Sequence, residues 1–388
     1  MTLIRTLYPI YCSDNGIGHI CMSLCQHMRD TEMDVRLTVP SSEPSDRREF
    51  VRDAVPPMLR TLSCRRSLHG LRHWCTERWY LRQFKAQEIA YIWPGTSPRV
   101  YEQLKARGHT IVMERINCHR ATAYRILEEA YDQLGWPAVH GIRREHIAEE
   151  KYKLELADLV FCPSPLVRQS MLAAGVPAEK LLAASYGWAP ERFCGQHRAL
   201  ERAGGITVLF VGLACVRKGI HLLLEAWSRA KLEGRLVLAG DIAADVAARC
   251  ADQLNRPDVV RLPYCTDVAA VYRSADIFAF PSLEEGSPLV SYEAIASGLA
   301  CIVSPMGAGE IIRNGREGIV LDPYAVDEWV EALRRLAGDA ELREGLGCQA
   351  RLRAQEYTWQ QVGRRRRVAL QEALAIHRTA PAEAILVR

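Results

Sequence analysis

No apolar run in this chain approaches the roughly 20 residues that a membrane span requires. The N-terminal stretch MTLIRTLYPIYCSDNG lacks the basic flank and long apolar core of a secretory signal. Low-complexity tracts and short-period repeats are missing too. Charge of one sign is scarce: the formal net charge is +4 over 388 residues, far below what a nucleic-acid binder carries. These absences argue against a membrane-spanning chain, a repeat protein and a nucleic-acid partner. The expectation is a cytoplasmic protein.

Cysteine is not scarce. There are thirteen, an odd number and scattered, which suits reduced thiols better than a disulfide framework. One cluster, HICMSLCQH, places His19, Cys21, Cys25 and His27 close together. On a helix Cys21 and Cys25 share a face at i,i+4 while the histidines do not converge with them. The spacing differs from that of zinc sites, so two small buried thiols is the better reading.

Length and an ordinary globular composition, 48% hydrophobic and 25% charged, suggest two domains. Short apolar runs alternate with amphipathic segments, the pattern of a parallel sheet covered by helices. The first cycle runs from LIRTLYPIY through DVRLTVP, EIAYIW, TIVMERI and DLVFCPS to LLAASYG. The pattern lapses at WAPERFCGQHRALERAGG, and a second cycle succeeds it: ITVLFVG, RLVLAGD, VVRLP, DIFAFPS, ACIVSP and GIVLD. LFVG and FAFPS read as strands buried on both faces. This predicts two doubly wound α/β domains facing a cleft, residues 1–187 and 205–357, with a linker over 188–204. A final helical segment over 358–388 would cross back to the first domain. Its run Arg364 to Arg367 reads as a solvated face.

The stretch LEEGSPLVSYEA holds Glu285 and Glu293 on either side of a Gly-Ser-Pro turn. Ser287 is a good N-cap and Pro288 suits the first helical position, which predicts a helix from that point. Glu285 then lies in a loop at a strand's carboxyl end, and Glu293 on the helix's second turn. The free amides at the helix start, around Gly286, Ser287, Pro288 and Leu289, suit an anion such as phosphate. Ionised carboxylates accept hydrogen bonds only, and vicinal hydroxyls can supply them. An anion flanked by hydroxylated parts describes a nucleotide sugar. In FVGLACVRKGIHLLL, Arg217 and Lys218 also come after a strand's carboxyl end, where they could neutralise a diphosphate. Taken alone, such a pair is more often a solvated surface turn.

From Gly205 to about Pro323 the chain resembles glycosyltransferase family 4, a retaining group with the GT-B architecture of two Rossmann-like domains. The Glu-x7-Glu element fits Glu285 and Glu293 within PSLEEGSPLVSYEAIASGLACIV, and GAGEIIRNGREGIVLDP is similar as well. The family's Arg-x-x-x-x-Lys cations are here the adjacent pair Arg217 and Lys218. The resemblance implies that Glu285 holds donor-sugar hydroxyls, that Glu293 holds ribose hydroxyls, and that Arg217 and Lys218 bind the diphosphate. In SDNGIGH, Asp14, Gly16 and Gly18 resemble the family's Gly-rich loop near the donor phosphates. His119, in ERINCHRATAY, falls where members often place a histidine beside the transferred sugar; a polar turn residue is the alternative.

The resemblance thus implies a metal-independent hexosyl transfer from a nucleoside-diphosphate sugar to a glycan, lipid-linked or small-molecule acceptor, in polysaccharide or glycoconjugate biosynthesis. No Asp-x-Asp motif is present, and no metal or cofactor is expected. A GT-B sugar-nucleotide epimerase or phosphorylase, or a non-catalytic nucleotide-sugar binder, are the alternatives. The segment Arg65 to Lys85 is basic and aromatic, with Leu68, Leu71, Cys75 and Trp79 in a stripe bordered by Arg72, Arg78 and Arg82. An interfacial helix in peripheral contact with the membrane's inner face and a packed helix with a basic outer face both fit.

Overall fold

Strands that are apolar at every position need both faces of their sheet covered, and this chain builds two such sheets. The structure is a computed structural model, described for residues 1–13, 16–42, 48–55, 69–201, 204–263, 265 and 267–379. The first sheet has seven parallel strands: β1 (Thr2–Leu7), β2 (Met33–Val39), β3 (Val51–Asp53), β4 (Ile89–Ile92), β5 (Ile111–Glu114), β6 (Leu159–Cys162) and β7 (Leu181–Ala183). Their order is β3-β2-β1-β4-β5-β6-β7. The second has six: β8 (Ile206–Val211), β9 (Gly234–Ala239), β10 (Val259–Leu262), β11 (Ile277–Phe280), β12 (Ala300–Val303) and β13 (Gly318–Val320). All of them are parallel, in the order β10-β9-β8-β11-β12-β13.

Twelve predicted strands are present, most of them shorter than the apolar runs. β3 is the addition, because three residues beside a polar segment carry no alternation. Between β9 and β10 the helical segment is two pieces, Ala244–Arg249 and Ala251–Leu254, parted at Cys250. In each sheet the chain winds outward and then returns beside its first strand. The winding direction therefore reverses between β1 and β4, and again between β8 and β11. Loops at such a reversal diverge and leave a crevice beyond the strand ends.

The chain crosses between the domains twice, and the crossings lie side by side. Trp188 N donates to Tyr357 O at 3.0 Å, and Trp359 N donates back to Trp188 O at 3.1 Å. Gly187 permits this approach, since a Cβ there would sit 2.7 Å from Tyr357 O. The closing helix, Trp359–Thr379, then packs on the helix Gly16–His27 of the first domain. Gly363 lets them touch, for its Cβ would lie 2.5 Å from the His27 backbone.

The arginine run on this helix is not one solvated face. Arg364 and Arg365 are exposed, but Arg366 is fully buried in the first domain. Its guanidinium forks onto Glu114 at 2.8 and 3.1 Å and also donates to Ser185 O. The hydroxyls of Tyr91 and Tyr186 donate to the same carboxylate at 2.5 and 3.1 Å. Four consecutive residues sample all sides of a helix, so one member had to face inward. Arg366→Ala would strand a buried carboxylate and should cost about 3–5 kcal/mol. Urea unfolding will show this as a lower midpoint, and Glu114→Gln/Arg366→Met should recover part of the loss.

Candidate active site

The reversal between β8 and β11 brings together the two loops that carry the predicted cations and acids. After β8 the chain makes a single tight turn over Val216–Lys218 and leaves it through Gly219 at φ +66°. A Cβ at Gly219 would stand 2.0 Å from Pro281 O, so the loop after β11 is in contact. Lys218 Nζ lies 2.5 Å from Glu285 Oε1, and Arg217 Nη1 lies 3.1 Å from the same oxygen. Lys218 also sits over the Phe280 ring, 4.9 Å from its centre. Burial pulls the Glu285 carboxyl upward, but the two cations outweigh it and hold its pKa below the ordinary value. Glu285 is an ionised acceptor already paired within the protein.

Its neighbour Glu284, which nothing in the sequence singles out, joins the two domains. Asn117 Nδ2 donates to its carboxylate at 2.8 and 3.1 Å, and Cys118 N donates at 3.1 Å. Arg217 Nη1 donates to its carbonyl at 2.9 Å. Burial, and to a lesser degree Glu285, raise the Glu284 pKa against the pull of Arg217. Gly286 is the glycine this contact demands: a Cβ would fall 1.8 Å from Ile116 O in the first domain. Two adjacent glutamates carry no spacing signal, so only the folded loop distinguishes their roles.

The helix begins one residue later than predicted, at Leu289, with Pro288 as its cap residue and no side-chain cap. Ser287 does not cap it, because its hydroxyl is 2.7 Å from the Tyr292 hydroxyl instead. Glu293 lies on this helix, with the Tyr272 hydroxyl 2.9 Å from Oε2. Burial drives its pKa from 4.5 up to about 7.

Two cavities adjoin these residues. One of about 870 Å³ lies between the domains and is lined by Arg115, Arg120, Tyr131, Arg217 and Glu284 among others. The other, about 380 Å³, is lined by Gly16, His19, Arg192, Gly212, Leu289 and Glu293. Leu213 borders both. Counting the Arg-x-x-x-x-Lys spacing back from Lys218 lands on Leu213, so an exposed leucine stands where that pattern has a cation. Lys218, Glu285, Gly286, Ser287 and Pro288 line neither cavity.

Other predicted residues are placed differently. Asp14 lies outside the described residues. Gly16, at φ +55°, opens the helix Gly16–His27 toward the smaller cavity. Gly18 is buried, and its Cβ would meet Ser13 O at 2.7 Å, so it serves close packing. His119 does not line either cavity. It is buried and caps the helix Arg120–Leu134, accepting from Ala121 N through Nδ1, with Nε2 3.4 Å from Glu150. Burial lowers its pKa. Cys21 and Cys25 are both fully buried in the first domain's core.

Residues 205–339 match the family described as Glycosyl transferases group 1. A D-inositol 3-phosphate glycosyltransferase of Corynebacterium kroppenstedtii is 35% identical over 188 residues, 42% of each chain. Sucrose-phosphate synthase from Thermosynechococcus elongatus superposes with a TM-score of 0.74 at 17% identity, covering 97% of this chain and 100% of that one. HepE of Anabaena in complex with UDP-glucose gives 0.70 at 14% identity, covering 96% and 100%. The chain spans less than half the length of the curated relatives it matches, 25% to 42% in three of them. At these identities the structural likeness is one of fold.

The raised pKa of Glu293 has a signed consequence for stability. Between about pH 4.5 and 7 the folded protein keeps a proton that the unfolded chain has released. Stability therefore falls as pH rises through that window, by on the order of 3 kcal/mol. Glu293→Gln removes this fall. Urea midpoints at pH 5 and pH 8 should show the variant gaining on the wild type at the higher pH; an unchanged difference would contradict the assignment.

Proposed function

We propose that the chain, whose residues 205–339 match the group 1 glycosyltransferases and whose fold is GT-B, is a retaining, metal-independent hexosyltransferase. The donor is a nucleoside-diphosphate sugar and the acceptor a hydroxyl on a glycan, lipid-linked or small molecule. The work belongs to polysaccharide or glycoconjugate synthesis at the cytoplasmic side of a membrane. The observation that carries this reading is the meeting of Arg217, Lys218 and Glu285 at one strand-end corner. UDP-glucose bound by the Anabaena neighbour supports the donor class.

In this reading the nucleoside enters the cavity of about 380 Å³, where Glu293 accepts from ribose hydroxyls. The diphosphate lies toward Arg217, Lys218 and the open amides of the helix start at Leu289. Its arrival draws the cations partly away from Glu285, whose freed oxygens accept from hydroxyls of the sugar. The acceptor approaches through the larger cleft.

Breaking the anomeric bond leaves negative charge on the departing phosphate oxygen. Arg217 and Lys218 take the neutralising part that a metal has in other transferases, from positions fixed before reaction. The leaving phosphate accepts the proton of the acceptor hydroxyl on the same face, so the configuration is kept and no enzyme nucleophile is required. Lys218→Ala should lower kcat by roughly 10²–10³-fold, measured as product formation across a panel of nucleotide sugars. Near-normal turnover in that variant would remove the proposal's foundation. Glu293→Gln should instead weaken donor binding with a smaller effect on kcat.

A further inference from the structure

A second concentration of positive charge lies on the first domain, sharing no residue with either cavity above. It is a groove of about 280 Å³ between the helices His69–Leu81 and Pro98–Ala106. Arg78 and Arg82 line one wall at i,i+4 spacing. Arg99 and Arg107, two turns apart, line the other. All four are exposed.

The acid that lines this groove is Glu77, and its carboxylate is already committed. It accepts from Ser97 N and Ser97 Oγ, both at 2.7 Å, and lies 3.0 Å from His73 Nε2. Arg107 is held by Leu81 O at 2.8 Å. Arg78 rests over the Trp74 ring, 5.1 Å from its centre. Arg78, Arg82 and Arg99 have no carboxylate partner among the described residues. Like charges gathered this way oppose folding unless an anion joins them. Guanidinium groups on two facing helices are suited to the several oxygens of a phosphate, which they can fork onto from both sides.

The rim of the groove narrows the source of that phosphate. Leu71 is 57% exposed and Trp74 42% exposed, and with Arg78 they lie along one helix face at i,i+3 and i+7. The stripe expected from spacing is turned: Cys75 and Trp79 are half-buried, and Leu68 lies outside the described residues. Exposed leucine and tryptophan beside arginine have no use for a phosphate free in water, but they match the boundary between headgroups and acyl chains. No described helix is long and apolar enough to cross a membrane, so such contact would be lateral.

We propose that this groove is a phosphate-binding site for the headgroup of an anionic lipid, with Leu71 and Trp74 resting in the interface above it. The test uses the full chain, floated with phosphatidylcholine vesicles with and without phosphatidylglycerol. Inorganic phosphate is titrated separately and monitored by thermal shift. The wild type should float only with phosphatidylglycerol and lose the vesicles as salt rises. R78E/R99E should bind about tenfold more weakly or worse. A control pair, R36E/R125E, carries the same charge change elsewhere and should float like the wild type. Circular dichroism establishes that each variant is folded, and no readout depends on turnover. Stabilisation by inorganic phosphate that R78E/R99E abolishes, without vesicle binding, keeps the phosphate site and overturns its lipid source. Equal flotation of wild type and R78E/R99E, or binding of neither probe, overturns the site.

Discussion

Two carboxylates on neighbouring residues repel each other, and this structure separates Glu284 and Glu285 by giving them hydrogen-bond partners in different domains, with Arg217 close to both. Glu285 turns inward to Lys218 and Arg217. Glu284 turns outward to Asn117 and the Cys118 amide of the first domain. The segment between β11 and the helix at Leu289 is thereby pinned from both sides within a few residues. Gly286 completes the arrangement, because any side chain there would displace the Ile116 carbonyl. The cleft takes its shape from this contact.

A second brace lies at the cleft's other side. The Tyr131 hydroxyl donates to Asp245 at 2.8 Å, and Arg249 lies over the Trp136 ring at 5.3 Å, both across the domains. Behind them, Arg366 and Glu114 fasten the closing helix to the first domain. Such a buried pair adds little net stability compared with a well-packed apolar pair. It does place the helix uniquely, since Arg366 is the member of the run whose phase points at Glu114. The paired crossings at Trp188 and Trp359 thus run between two bodies whose separation is set by polar contacts at the cleft and by the closing helix behind it.

Much of this is legible in the sequence because it comes from periodicity. Runs such as LFVG announce central parallel strands, and the breaks between them locate the loops where Arg217, Lys218 and Glu285 meet. Gly16 and Glu293 are also candidates on sequence grounds, and they share a cavity. What is not legible depends on which way a side chain faces after folding. Arg366 looks like its three neighbours until the helix phase buries it. His119 looks like a loop residue open to the cleft, yet its ring caps a helix beside Glu150. Glu284 is hidden by Glu285, since a local pattern cannot tell which of two adjacent acids turns toward the other domain. Leu213 carries no chemistry of its own, and only its position between two cavities gives it meaning.

The charges of the site are close to balanced: two cations face two carboxylates. Any anion drawn to Arg217 therefore meets cations that are already committed to carboxylates. Of the two acids, Glu284 is the one whose pKa burial raises, against the opposing pull of Arg217. Asn117 and the Cys118 amide hold Glu284 from the first domain, and both donate to its ionised form. Those donors favour the charged form of Glu284, so they offset part of the cost of burying it. The cation corner and the contact between the domains therefore share one short segment, Glu284 and Glu285.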